Sequence, residues 1–92
     1  MKTGIIGAGK VGCSLGKYFV LHGLSLSGFF DADQEAAGTA AAFAETNVEE
    51  KLENLVQKSD VLFLTVPDGL ITEVWKQIRE FPLQGKYICH CS

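Results

Sequence analysis

The chain has 92 residues, of which 47% are hydrophobic and 21% are charged, and this is enough to bury one core of modest size. Its formal net charge is -3 and its lysines and arginines are scattered, so it lacks the basic stripe by which proteins bind nucleic-acid phosphates. No apolar run approaches the roughly 18 residues of a membrane-spanning helix, and no signal-peptide core is present. We therefore expect a cytoplasmic protein with no nucleic-acid or membrane partner.

The first third of the chain alternates between strand and helix patterns. Residues Lys2 to Ile6 form a short β-type run, and the following apolar residues recur at helical spacing until His22-Gly23 ends the helix. The run from Leu24 to Phe30 predicts a second strand, which ends at Asp31. The apolar face predicted for the first helix consists of Val11, Leu15, Tyr18 and Phe19.

The alternation continues through the middle of the chain. An alanine-rich segment from Asp33 to Ala44 favours a helix, and Thr46 to Val48 forms at most a very short third strand. Helical spacing returns from Glu49 to Lys58. The next run, Val61 to Val66, is apolar on both faces, as in a central parallel strand covered by helices on each side, and Pro67 ends it.

The last part of the chain predicts one more helix and one more strand. Asp68 is placed to cap the helix, and an extended pattern runs from Lys86 to Cys91. Alternating strands and helices favour a parallel sheet, so we predict a single α/β domain, a doubly wound parallel sheet of about five strands with helices on both faces. The apolar face predicted for the last helix consists of Ile71, Val74, Trp75 and Ile78.

The turn between the first strand and the first helix carries the pattern G-x-G-x-x-G. In this position Gly7 makes a tight turn, Gly9 lets the backbone approach a pyrophosphate, and Gly12 lets the helix pack against the sheet. Backbone N–H groups at the start of the helix donate to phosphate oxygens. The alternative is a strand-to-helix turn that holds no ligand. The residues predicted to hold the pyrophosphate are Gly7, Ala8, Gly9, Lys10, Val11 and Gly12.

An acidic residue at the end of the second strand supports the same interpretation. Asp31 follows Gly12 by nineteen residues, close to the spacing of about 20 at which an acidic residue binds the adenosine ribose hydroxyls. A carboxylate there favours NAD over NADP, and no arginine follows nearby to hold a 2′-phosphate. Alternatively, Asp31 or Asp33 caps the next helix, since Gln34 follows Asp31 at capping-box spacing.

The cysteines and histidines give weaker signals. Three cysteines without framework spacing indicate free thiols. The segment Cys89-His90-Cys91 alternates its side chains between two strand faces and has no evident fourth ligand, so we expect no metal site. The conventional catalytic side chains, none with an identifiable partner, are His22, His90, Cys91 and Ser92.

With these residues in view, the chain resembles the Rossmann-type nucleotide-binding domain of one dehydrogenase group. The group includes pyrroline-5-carboxylate reductase, prephenate dehydrogenase, the β-hydroxyacid dehydrogenases and the deazaflavin-dependent NADP oxidoreductases. The residues that carry the resemblance are Gly7 to Gly12, Asp31 and the run Ser59 to Pro67. Val66-Pro67-Asp68 and the terminal His90-Cys91-Ser92 are most similar to uncharacterised Rossmann-like oxidoreductases that carry an appended helical domain of unknown function.

The resemblance implies an oxidoreductase that transfers hydride between NAD or NADP and a small metabolite. Val66 and Pro67 would line the cofactor near its nicotinamide-side ribose, and Ser92 would lie where nicotinamide and substrate meet. Residues 1–92 would then be the N-terminal, dinucleotide-binding domain of a longer protein that forms a homodimer through its C-terminal domain.

Two other interpretations remain open from the sequence. Regulatory domains of potassium channels carry a similar glycine turn and strand-two aspartate and bind a nucleotide without catalysis, but their pattern lacks Val66-Pro67 and the helix that follows. A domain that has lost its ligand and serves only in assembly is the third possibility, and the intact glycines argue against it.

Overall fold

The computed structural model describes residues 1–90 as a parallel sheet covered by helices. The strands lie in the order β2-β1-β3-β4, and every neighbouring pair is parallel. The elements in chain order are β1 (Lys2–Ile6), α1 (Lys10–Leu21), β2 (Ser25–Phe30), α2 (Gln34–Ala44), α3 (Leu52–Lys58), β3 (Val61–Leu64), α4 (Asp68–Ile78) and β4 (Tyr87–His90).

Each face of the sheet carries its own apolar core, which confirms the doubly wound arrangement. On one face, Ile5 and Phe29 are fully buried against α1 and the alanines of α2. On the other face, Leu62 of β3 is fully buried against α3 and Ile78 of α4. Successive residues of β1, Ile5 and Ile6, belong to opposite cores, as the alternation of side chains along a strand requires.

The predicted third strand is reduced to a single bridge. Phe29 of β2 donates its N–H to the carbonyl of Asn47 and accepts a hydrogen bond from the N–H of Glu49, both at 2.9 Å. These two bonds flank Val48, which pairs with Phe29 as an isolated parallel bridge. The chain then turns toward α3, which begins at Leu52 rather than at Glu49. Four strands rather than five are therefore present within residues 1–90.

The apolar face predicted for α1 is wrong in part. Val11 and Tyr18 are 54% and 55% exposed, whereas Gly12 and Gly16 are the buried residues of the helix. A helix that contacts the sheet through glycines brings its backbone close to the strands, and glycine carries no hydrophobic signal for a periodicity argument. Phe19 does pack into the core as predicted.

The close packing at Gly16 leads to a stability prediction. A Cβ at this position would lie 2.5 Å from Cζ of Phe29 and 3.2 Å from Cδ1 of Ile5, two fully buried side chains. We expect Gly16→Ala to lower the free energy of unfolding in urea by about 1–3 kcal/mol, the usual cost of overpacking. The control is Gly38→Ala in α2, where a Cβ meets nothing within 4 Å, and which should stabilise the helix by about 0.5–1 kcal/mol. A Gly16→Ala chain as stable as the parent would contradict the prediction.

The last helix and strand follow the predicted pattern with small differences. Ile71, Val74 and Ile78 pack into the core, whereas Trp75 is 40% exposed. The predicted cap at Asp68 is wrong, because Pro67 is the N-cap residue and Asp68 is the first residue of α4. The helices formed by residues 1–90 are too short or too polar to span a membrane.

Candidate functional site

The glycine turn connects β1 to α1 at the carboxyl end of the sheet. Gly7 has a φ of +111°, a conformation that favours glycine, and its N–H donates to the carbonyl of Phe30 at 2.8 Å. Gly9 is the N-cap residue of α1, and no side chain within residues 1–90 caps this helix. The first N–H groups of α1 therefore face the turn with the positive end of the helix dipole.

The three glycines of the turn differ in what surrounds them. A Cβ on Gly7 would lie 2.9 Å from the backbone of Thr65, and a Cβ on Gly12 would collide with the carbonyl oxygen of Gly7. A Cβ on Gly9, by contrast, would meet nothing within 4 Å, and its φ of -75° is open to any residue. The packing of the chain explains the first and the third glycine but leaves the second unexplained.

Asp31 reaches back from the end of β2 to the glycine turn. Its Oδ2 accepts a hydrogen bond from the N–H of Ala8 at 2.7 Å, and its Oδ1 accepts one from the N–H of Asp33 at 2.9 Å. The cap of α2 is Asp33, whose Oδ1 accepts from the N–H groups of Glu35 and Ala36. Of the two aspartates considered as caps, Asp33 has that role and Asp31 instead fixes the turn.

Thr65 is a residue of the site that the sequence analysis missed. It follows β3 directly, is buried, and its hydroxyl lies 2.8 Å from the carbonyl oxygen of Gly7 and 3.2 Å from that of Ile6. The hydroxyl thus ties the end of β3 to the glycine turn. A polar residue within an otherwise apolar run, Val61 to Val66, is the signal that could have identified it.

A cavity of about 540 Å³ opens between the glycine turn, the end of β2 and the start of α4. It brings together seven of the predicted site residues, namely Gly7, Gly9, Lys10, Val11, Asp31, Val66 and Pro67. Thr65, Asp68 and Leu70 complete its lining. Of the other predicted residues, Ala8 and Gly12 do not line this cavity, and Ser92 lies outside the described residues.

The histidines occupy different ends of the fold. His22 is the C-cap residue of α1, and its Nδ1 lies 2.9 Å from the carbonyl oxygen of Tyr18, at the end of the helix away from the cavity. His90 ends β4, and its Nε2 lies 3.7 Å from Oδ1 of Asp68, which lines the cavity. His90 is therefore the histidine that lies near the candidate site.

The position of the cavity in the sheet defines the class of the protein. In the sheet, β2 lies on one side of β1 and β3 lies on the other. The strand order therefore reverses at β1, beside the glycine turn. Open α/β sheets bind nucleotides at this point, outside the carboxyl ends of the strands, and the chain is a Rossmann-type dinucleotide-binding domain. Residues 2–92 match the family described as "NADP oxidoreductase coenzyme F420-dependent", and the chain belongs to that family. This confirms the predicted NAD(P)-binding domain of the oxidoreductase type.

Known proteins that are similar to this chain in sequence or in fold are longer than it. A Bacillus subtilis protein, provisionally named 6-phosphogluconate dehydrogenase YqeC, is 30% identical over 96% of this chain and 30% of its own length. A provisionally named NADP oxidoreductase from Bacteroides fragilis has a TM-score of 0.88 at 19% identity, over 99% of this chain and 35% of its own. Arogenate dehydrogenase from Synechocystis has a TM-score of 0.87 at 21% identity, over the whole of this chain and 33% of its own. The chain thus spans about a third of the length of these proteins.

Proposed function

We propose that the chain binds a nicotinamide dinucleotide with its pyrophosphate on the glycine turn. The main support for this proposal is the open space around Gly9. Gly9 lines the cavity, its backbone conformation accepts other residues, and a side chain there would meet no atom of the chain. A position without a side chain that lines the cavity leaves room for a ligand to contact the backbone. A pyrophosphate in contact with the Gly9 backbone would occupy that room.

The start of α1 has the electrostatics that a pyrophosphate needs. The helix has no acidic residue in its first turn and no side-chain cap within residues 1–90. The cavity is lined by Lys10 and Val11, the first residues of α1, whose N–H groups would donate to phosphate oxygens. The helix dipole adds a favourable field for a dianion.

Asp31 would anchor the adenosine ribose and select NAD over NADP. A carboxylate has about four acceptor sites, and the N–H groups of Ala8 and Asp33 use one on each oxygen of Asp31. The remaining lone pairs suit the ribose 2′-OH and would repel a 2′-phosphate. The neighbouring turn adds Asp33 and Glu35 and no basic residue. The proposed preference for NAD departs from the family description, which names NADP.

Calorimetric titration with NAD and NADP tests this assignment. We expect NAD to bind more tightly, and Asp31→Ala to weaken NAD binding by about tenfold through the loss of a charge-assisted hydrogen bond. The matched control is Asp33→Ala, which removes the cap of α2 and costs about 1 kcal/mol of stability but spares NAD binding. Equal losses of NAD affinity in the two variants would overturn the ribose role of Asp31, and no dinucleotide binding by the folded chain would overturn the proposed function.

The nicotinamide would lie at the other end of the same cavity, beside Val66 and Pro67. The nicotinamide ring supplies the hydride chemistry, and the chain binds and orients it for transfer to or from a small metabolite. Ser92, by the family resemblance, would lie near the reacting carbon. The relatives are about three times as long as this chain, so we further propose that residues 1–92 act as the cofactor-binding domain of a longer, homodimeric oxidoreductase.

A further inference from the structure

One peptide group of the glycine turn, the one between Gly7 and Ala8, is held at both of its ends. Its carbonyl oxygen, on Gly7, accepts a hydrogen bond from Oγ1 of Thr65 at 2.8 Å. Its N–H, on Ala8, donates to Oδ2 of Asp31 at 2.7 Å. Thr65 follows β3 directly and Asp31 follows β2 directly, so the turn after β1 is held from both neighbouring strands. This peptide group cannot rotate without breaking these hydrogen bonds.

The hydroxyl of Thr65 is committed to the Gly7 carbonyl. A hydroxyl has one proton to donate, and the Gly7 oxygen is nearer to Oγ1 than the oxygen of Ile6, which lies at 3.2 Å. The Ile6 carbonyl also accepts the backbone N–H of Thr65 at 2.9 Å. Gly7 is buried, and among residues 1–90 its carbonyl has no other hydrogen-bond donor. The orientation of this carbonyl therefore depends on the Thr65 side chain.

The backbone of the turn supplies little restraint of its own. Ala8 lies between Gly7 and Gly9, and glycine has the widest choice of backbone conformations of all residues. A turn with one end of its central peptide group released would have to be ordered by the ligand on binding. That ordering reduces affinity, because part of the binding free energy is used to fix the backbone.

We infer that Thr65 is a positioning residue, whose hydroxyl holds the glycine turn in the shape that receives a pyrophosphate before the ligand arrives. This inference rests on the proposed function. Asp31 holds the other end of the same peptide group, but in the proposed function it also contacts the ribose, so its removal changes two interactions at once. Thr65 acts only through the turn, and its substitution measures the contribution of the preformed turn by itself.

Calorimetric titration of Thr65→Val with NAD and with ADP-ribose tests the inference. Valine keeps the branched shape of threonine and lacks the hydroxyl. We expect both affinities to fall by about tenfold, the size of one hydrogen bond. ADP-ribose carries the pyrophosphate but no nicotinamide, so an equal loss for the two ligands places the effect at the turn and not at the neighbouring Val66. Thr65→Ser keeps the hydroxyl and should bind both ligands as the parent chain does.

The matched control is Thr39→Val, which also removes a hydroxyl that donates to a backbone carbonyl, that of Glu35 at 3.1 Å, in α2 and away from the cavity. It should bind both ligands as the parent does. If urea unfolding shows that Thr65→Val does not fold, Thr65→Cys replaces it, because a thiol is only a weak donor, and both affinities should again fall.

Three results would overturn the role of Thr65 and leave the proposed function standing. They are an unchanged affinity for ADP-ribose in the folded valine or cysteine variant, a loss confined to NAD, and an equal loss in Thr65→Ser. Failure of the folded parent chain to bind either ligand would instead overturn the proposed function, and this inference with it.

Discussion

The chain carrying Gly9→Val should lose dinucleotide binding and keep its fold. The valine side chain would project from a residue that lines the cavity, at the point where the backbone is proposed to contact the pyrophosphate. Because the N–H groups of α1 cannot then reach the phosphate oxygens, we expect the affinity for NAD to fall by about 100-fold or more, equivalent to the loss of two charge-assisted hydrogen bonds. The same change should cost at most about 1 kcal/mol of stability, the size of a helix-cap effect.

Calorimetry with NAD and urea unfolding, run on the same preparation, separate these two effects. The control is Gly38→Val, also a glycine whose Cβ would meet open space, but within α2 and away from the cavity. It should bind NAD as the parent does. Normal NAD binding by a folded Gly9→Val chain would show that the turn does not hold a pyrophosphate.

The glycine turn shows how far the sequence predicts this site. The spacing predicted a separate role for each of Gly7, Gly9 and Gly12. In the structure, close packing explains why Gly7 and Gly12 are glycines. The sequence could not reveal the packing partner, since Thr65 lies 53 residues beyond Gly12 in the chain and meets the turn only when β3 pairs with β1. Long-range partners of this kind leave no local pattern.

The two aspartates at the end of β2 illustrate a different limit. Asp31 and Asp33 are two residues apart, and both satisfy the preference for a helix cap. The choice between them depends on where α2 begins, because the cap is the residue before Gln34. Only then is Asp31 free to contact the N–H of Ala8 across the turn.

Secondary structure was predictable where packing follows from hydrophobic periodicity and less so elsewhere. The apolar run that forms β3 and the alanine-rich α2 were predicted correctly in type. In α1 the buried residues are Gly12 and Gly16, which carry no hydrophobic signal, and the face chosen by periodicity includes Val11 and Tyr18, which are more than half exposed. Periodicity identifies a buried face only when side chains, rather than the backbone, make the contact.

Gly12→Ala should have the opposite outcome to Gly9→Val, because the chain itself occupies the space beside Gly12. The new Cβ would collide with the carbonyl oxygen of Gly7 and lie 2.5 Å from Oγ1 of Thr65. The obstacle is the backbone of Gly7, held by hydrogen bonds to Phe30 of β2 and to Thr65 just after β3, rather than a flexible side chain. We expect the free energy of unfolding to fall by about 3 kcal/mol, the upper end of overpacking costs, which is a large part of the stability of a small domain.

The matched control is Gly9→Ala, the same change three residues earlier. Urea unfolding of both variants measures how the loss of stability differs between the two positions. Gly9→Ala should remain within about 1 kcal/mol of the parent, because its Cβ meets no atom within 4 Å. If Gly12→Ala were equally stable, α1 would have to lie farther from the sheet than it does here. The same helix then could not hold its first N–H groups at the cavity, so a stable Gly12→Ala chain would also remove the geometric basis for the pyrophosphate site.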